Sequence, residues 1–300
     1  DYDFTPYPMF EMERTDAHQN ISQEIRASYE EDRWSAVVGV AYDYSKRKTR
    51  YDYYNAGMKH YAKDESNSMA LFGQVKIPLA ERWALTLGVR GDYYTTDFND
   101  YDTGYSDDDS WTSLSPKAAI EFSITEDHMV YLSAARGFKA AGYDGFQGAS
   151  GYYKYDEEEV WSVELGSKNT LLDGMVQLNA ALFYNKYNDI QLETYYMGAA
   201  PTPMPAITNS GNPEAYGAEL ELSIYPLEGL EIFASAGYTY MRQDDFSDAL
   251  GNYKDNKVPY VPEWTYSAGF QYSHFAGGYI RGEMLGATKA YLNNDNTGYI

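Results

Sequence analysis

Long stretches of this chain alternate side chains of opposite character with a period of two, and few folds accept that pattern at this length. From Trp34 to Ser45 one face reads Trp34, Ala36, Val38, Val40, Tyr42 and Tyr44, and the other Ser35, Val37, Gly39, Ala41, Asp43 and Ser45. Trp83, Leu85, Leu87, Val89 and Tyr93 oppose Ala84, Thr86, Gly88, Arg90 and Asp92. The segments starting at Val176, Tyr216 and Leu230 repeat the pattern. Such alternation is a strand signal. Ordinary strands run about 5–6 residues, whereas a tilted strand crossing a bilayer needs about 9–11. The second face carries Gly, Ser, Thr, Asn, Gln and charges, as the lumen side of a membrane barrel does. Aromatic residues mark the strand ends, at Trp34 and Tyr44, Trp83 and Tyr93, Tyr238 and Tyr240, the depths of interfacial girdles.

Composition narrows the choice. The chain has no run of ~18 apolar residues that could form a membrane helix. It holds 33 Tyr and 17% aromatic residues, yet its mean hydropathy is negative. Asp and Glu number 45 against 23 Lys and Arg, a net charge of −22, which argues against nucleic acid as a partner because phosphate binding needs a basic surface. With no Cys there is neither a disulfide framework nor a thiolate metal site. The first residues, DYDFTPYPMF, carry no signal-peptide pattern, so the chain reads as a mature piece or a fragment.

The pattern predicts twelve strands, at about 19–29, 33–46, 68–78, 83–97, 111–124, 128–138, 158–169, 174–192, 214–225, 229–243, 260–273 and 277–292. The segment 128–138 is the least regular, because Arg136 and Lys139 interrupt it. Connections alternate. Short ones fall at Glu30–Asp32, Leu79–Arg82, Thr125–Asp127, Thr170–Asp173, Pro226–Glu228 and Ser273–Ala276, and long ones at about 47–67, 98–110, 139–157, 193–213 and 244–259. Outer-membrane barrels have short periplasmic turns and long extracellular loops, so the first strand is expected to descend and residues 1–18 to lie outside.

Catalytic motifs are nearly absent. There is no phosphate-cradling loop, dinucleotide fingerprint or nucleophile elbow, and the chain is not expected to be an enzyme or to need a cofactor. His18, His60, His128 and His274 lie far apart and form no ligand pair on one strand, so no metal site is expected. Residues 97–109 hold six Asp and no base, without the spacing of a calcium loop, and read as a solvated loop able to share divalent cations with the lipopolysaccharide surface. Glu157, Glu158 and Glu159 read as a hydrated rim. Glu164, Glu219 and Glu221 fall on lumen positions of long strands. They face either a plug or solute path, or a ladder of cross-strand pairs with Arg90, Arg136 or Lys168.

Several strings carry a family likeness. LSPKAAIEFSITEDHMVYLSAARGFKAAGYDGF (114–146) has Ser115, Pro116 and Lys117 opening a strand, then Tyr131, Ser133, Gly137, Phe138 and Lys139 leading into a long loop. EEEVWSVELGSKNTLLDGMVQLNAALFYNKYNDIQ (157–191), ITNSGNPEAYGAELELSIYPLEGLEIFASAGYTY (207–240) and VPYVPEWTYSAGF (258–270) follow in order. Together these blocks resemble the barrel of TonB-dependent outer-membrane receptors. The resemblance implies an all-β, transmembrane antiparallel barrel of 22 strands with a plugged lumen. This chain would supply about 12 of them, from strand 8 to strand 19. Residues 1–300 are expected to be barrel segment only, with the plug, its TonB-contacting box and the C-terminal strands absent.

The resemblance further implies energised import of a scarce large solute, most often a ferric siderophore, with energy delivered through TonB by way of the missing N-terminal region. The other partners expected are outer-membrane lipid and lipopolysaccharide, and the location is the bacterial outer membrane. The aromatic loop residues Tyr143, Phe146, Tyr152, Tyr153, Tyr195 and Tyr196 are expected to meet ligand first, since flat rings suit chelate or sugar surfaces. Arg90, Glu164, Glu219 and Glu221 are expected to face the lumen or plug. A passive outer-membrane channel or other barrel protein is the alternative on the strand pattern alone, with a soluble β-sandwich a distant third.

Overall fold

The computed structural model describes residues 2–3, 11–53, 58–144, 154–197 and 203–300, and no helix occurs among them. The strands are β1 (Tyr2–Asp3), β2 (Glu11–Glu31), β3 (Trp34–Tyr53), β4 (Met58–Pro78), β5 (Trp83–Asp100), β6 (Ser106–Ser123), β7 (His128–Lys139), β8 (Gly142–Tyr143) and β9 (Lys154–Tyr155). They continue with β10 (Glu158–Leu171), β11 (Val176–Asn188), β12 (Gln191–Met197), β13 (Pro203–Asn209), β14 (Glu214–Leu227), β15 (Leu230–Arg242), β16 (Trp264–Ser273) and β17 (Tyr279–Ala287). One antiparallel sheet takes all but four of them, in the order β1-β2-β3-β4-β5-β6-β7-β10-β11-β14-β15-β16-β17. The remaining four form two small ladders, β8 with β9 and β12 with β13, inside long connections.

The twelve expected strands are β2–β7, β10, β11 and β14–β17. Their short-turn ends lie close to where the alternation stops. Their other ends do not. β3 and β4 stay paired to Tyr53↔Met58, and β5 and β6 to Asn99↔Ser106, so most of 47–67 and 98–110 is strand where loops were expected. The alternation fades there because both faces are polar, while the ladder needs only backbone groups and the Thr and Tyr found in the segment suit it. β16 and β17 are shorter than their pattern, since Thr265↔Ala287 ends the ladder and irregular chain follows.

Register places the two characters of side chain on opposite faces. Ile25, Val40, Leu71, Gly91 and Leu114 lie side by side across five strands. The four large residues of that row are 50–68% exposed. The neighbouring row, Arg26, Gly39, Phe72, Arg90 and Ser115, is on the other face. An apolar face this wide and uncovered is unfavourable in water and suits acyl chains. On the polar face, aromatic rings lie over glycines of the next strand. A Cβ at Gly39 would overlap the Phe72 ring, and one at Gly217 would overlap both the Phe183 ring and the Tyr238 carbonyl oxygen.

Among the described residues, the clusters of buried hydrophobic side chains lie at the long-loop end. Ala62, Phe98 and Tyr143 form one buried cluster with Tyr105 against it. Ile190, Ala215, Met241 and Val258 form a second, with Tyr187, Leu192 and Val261.

Candidate functional site: the polar face and the loop canopy

Strand parity puts Glu164, Glu219 and Glu221 on the polar face. Glu164 lies across from Phe183 on β11, and Glu219 and Glu221 from Ala181 and Asn179. Glu219 and Glu221 are exposed and Glu164 half-buried. Tyr131 donates to Glu164 Oε1 at 2.5 Å, and Asn179 Nδ2 reaches Glu221 Oε2 at 3.4 Å. These three carboxylates line a depression of about 190 Å³ with Tyr131, Lys168 and Asn179.

The bases offered as their partners make other contacts. Arg90, also on the polar face, grips Asp92 through Nε at 2.9 and 3.0 Å, and its guanidinium lies 5.9 Å from the Phe72 ring. Arg136 pairs with Glu159 and reaches Glu157 at 3.7 Å. Lys168 Nζ sits 6.0 Å from the Tyr131 ring centre. Among the described residues, no ion pair satisfies Glu164, Glu219 or Glu221, so the ladder of cross-strand pairs does not form. A patch of carboxylates open to the polar side of the sheet attracts cationic groups, and contact with them costs little desolvation on the exposed side.

Arg136 has a structural task. The β6–β7 ladder stops at Lys117↔Ala135, next to Pro116, which has no N–H to offer. Beyond that point Arg136 fills the split, donating to the Leu114 carbonyl and, at 3.1 Å, to Ser113 Oγ. This is why the pattern of 128–138 is broken at that residue.

The loops over this face are tied to one another. Tyr143 stacks on Phe98 and donates to Asp107 Oδ2 at 3.1 Å, while Lys154 pairs with Asp109. Burial, then the bond to Asp107, pushes the Tyr143 phenol well above its ordinary range. Gln191 Nε2 donates to the carbonyls of Ala140 and Asp156 at 2.9 and 3.0 Å, and Asn209 Nδ2 to those of Asp156 and Asp189, both at 2.9 Å. The Tyr195 N–H donates to Asp248 Oδ2 at 2.9 Å, and Asn294 Nδ2 to the Glu193 carbonyl at 2.8 Å. Single Asn and Gln side chains thus hold segments far apart in sequence, and no spacing rule would have found them.

Of the aromatic residues expected to meet ligand, Tyr143 is 1% exposed inside the canopy. Tyr195 is half-buried, with its hydroxyl on Glu193 at 3.3 Å. Tyr196 lies in β12 opposite Met204. Phe146, Tyr152 and Tyr153 lie outside the described residues.

A wall of long antiparallel strands, apolar outside, polar inside and roofed at one end, is the architecture of an outer-membrane barrel. The family model for the TonB dependent receptor-like β-barrel matches residues 11–300, and the chain belongs to that family of bacterial outer-membrane transport receptors. The pesticin receptor of Yersinia pestis is 30% identical over 164 residues, which cover 54% of this chain and 22% of that protein. A probable TonB-dependent siderophore receptor of Acinetobacter baumannii, PiuA, is 26% identical over 219 residues, 66% of this chain and 28% of its own. The crystal structure of the ferric yersiniabactin uptake receptor FyuA from Yersinia pestis superimposes with a TM-score of 0.77 over 98% of this chain and 46% of that one, at 20% identity. The siderophore receptor PiuA from Acinetobacter baumannii does so with 0.73 over 95% and 48%, at 18%. At such identities the structures speak to the fold, and the chain spans less than half the length of these proteins.

Proposed function

We propose that this chain is wall and canopy of an active importer that takes up a scarce large solute, most simply a ferric siderophore, with energy delivered through TonB. The observation that carries the reading is the family match across 11–300. The named relatives support its ligand class: one is called a probable siderophore receptor and another a ferric yersiniabactin uptake receptor. The wall performs no bond chemistry.

In this reading the long-loop end faces the outside. Residues 1–300 are barrel segment, and a plug and the remaining strands belong to the rest of the protein. The edge of β17 supports this: among the described strands it pairs with β16 alone, and an open sheet edge in hydrocarbon leaves backbone groups unsatisfied. Glu164, Glu219 and Glu221 are assigned to contact with whatever fills the bore, with Arg90, farther round the same face on β5, as a tethered charge. Ligand first meets aromatic rings of the long loops, with Tyr195, Tyr196, Phe146, Tyr152 and Tyr153 as contacts, while the buried Tyr143 serves as support. Lipid and lipopolysaccharide cover the apolar face.

The test is direct binding of ferric siderophores to the purified whole receptor, read by quenching of its aromatic fluorescence. The reading expects saturable binding of at least one chelate, weakened by Tyr195→Ala. Saturable binding of none across catecholate, hydroxamate and phenolate classes would contradict it.

A further inference from the structure

We propose that His60, Asp100 and Asp102 form a binding site for a divalent transition-metal ion of the zinc class, at the long-loop rim between β4 and the β5–β6 turn. Among the described residues they are the one grouping of three such side chains whose ligand atoms all lie within 4.8 Å of one another. His60 Nδ1 lies 3.7 Å from Asp100 Oδ1 and 3.6 Å from Asp102 Oδ2. Donors bound at 2.0–2.2 Å around a tetrahedral ion stand about 3.4 Å apart, so the imidazole needs to approach each carboxylate by only a few tenths of an ångström, while the two carboxylate oxygens start within 4.8 Å of each other.

The surroundings are those of a built site. The His60 side chain is 9% exposed and that of Asp100 fully buried, while Asp102 is 42% exposed. A dication shared by the three side chains compensates both carboxylates at once. The ligands are held in place. Asp100 Oδ1 accepts the N–H groups of Asp102 at 3.0 Å and Thr103 at 3.2 Å, and Asp102 Oδ2 accepts that of Tyr61. Below them Tyr61 and Tyr101 stack at 4.9 Å, and the Tyr51 ring lies 5.9 Å from His60. The open side at Asp102 leaves room for water to complete the coordination.

One imidazole with two carboxylates favours zinc-class ions over magnesium or calcium, which take all-oxygen shells. Asp100 pairs with Ala62, a neighbour of Phe98 and Tyr143 in the rim cluster. A bound ion therefore stiffens the surface on which the canopy packs. It also gives the acidic segment 97–109 a defined cation, through ordered side chains and not through a calcium-loop spacing.

The experiment uses the purified whole receptor, stripped with chelator, and the variants His60→Gln and Asp102→Ala. Calorimetric titration with zinc chloride is expected to show one equivalent bound at this site, with affinity falling by at least roughly tenfold in each variant. Cobalt chloride is expected to give a visible ligand-field band that His60→Gln loses, and excess magnesium chloride is expected to leave zinc bound. Should His60→Gln misfold, Asp102→Ala decides alone, because its side chain is partly exposed. Absence of saturable zinc binding at millimolar concentration, unchanged affinity in both variants, or displacement by equimolar magnesium would each overturn the proposal.

Discussion

Tyr143 stacks on Phe98 with ring centroids 5.0 Å apart and planes 11° from parallel, joining the canopy to the inner face of β5. Its hydroxyl donates to Asp107 on the neighbouring strand. Tyr143→Ala removes both ring and bond and is expected to cost the local fold about 3 kcal/mol. Tyr143→Phe keeps the ring and is expected to cost about 1 kcal/mol. Amide exchange at residues 142–144 and 154–156 checks this: protection should collapse in the first variant and mostly persist in the second. Equal protection in both would show that the ring does not hold the loop.

The carboxylates on the polar face make a different prediction. Glu219 and Glu221 are exposed and, among the described residues, in no ion pair, so neutralising them removes none from the wall. The double variant Glu219→Gln, Glu221→Gln is expected to unfold within about 0.5 kcal/mol of the unaltered receptor. Transport by the whole receptor is expected to fall several-fold, because the bore's contents lose an anionic surface. Unaltered transport would mean that the patch is merely hydrated.

Gly217 tests the packing of that face. A side chain there meets the Tyr238 carbonyl oxygen, which cannot move without breaking the ladder. Gly217→Ala is expected to destabilise the barrel by about 1–3 kcal/mol, read as a lower denaturant midpoint in detergent. Gly88, whose nearest neighbours are atoms of the flexible Gln74 side chain at 3.5 and 3.6 Å, is the control and should tolerate Ala with a smaller loss.

The split filled by Arg136 carries a pH dependence. Glu157, at the long-loop end just before β10, has its carboxyl held above its ordinary range by burial, partly offset by Arg136. One of its oxygens is buried and has no hydrogen-bond partner among the described residues. A raised folded value means the folded state holds the proton more tightly. The resulting stabilisation is complete below about pH 4.3, the ordinary Glu value, and is lost as pH rises through the folded value. Hydrogen exchange at 136–139 and 157–160 in the unaltered protein is therefore expected to slow, relative to Glu157→Gln, as pH falls from 7 to 4.5, once intrinsic rates are divided out. The opposite slope would put the charge on the wrong side of the balance. Arg136→Ala is expected to steepen the effect, since it leaves Glu157 without its counter-charge.

The strands were legible where lipid reads one face and the polar side the other, as in Trp34–Tyr44 and Trp83–Tyr93. They were not legible above the bilayer. Ser106–Asp109 holds three Asp in a row, a poor strand former by composition, yet it pairs to 96–99 because β5 offers a ready ladder. Parity alone placed Glu164, Glu219, Glu221 and Arg90 on the polar face. It could not tell that Arg90 is taken by Asp92, two residues along on the same strand and face. The approach of His60 to Asp100 depends on the register Ala62↔Asp100, a tertiary fact with no trace in local spacing. The canopy contacts of Gln191, Asn209 and Asn294 belong to the same class.

The central claim, that this wall belongs to an energised importer, is tested most directly by uptake of radiolabelled iron chelate in cells expressing the whole receptor, with and without a functional TonB. The account predicts accumulation that stops when TonB is removed while binding at the cell surface persists. Accumulation at the same rate without TonB would contradict it and make the protein a passive channel.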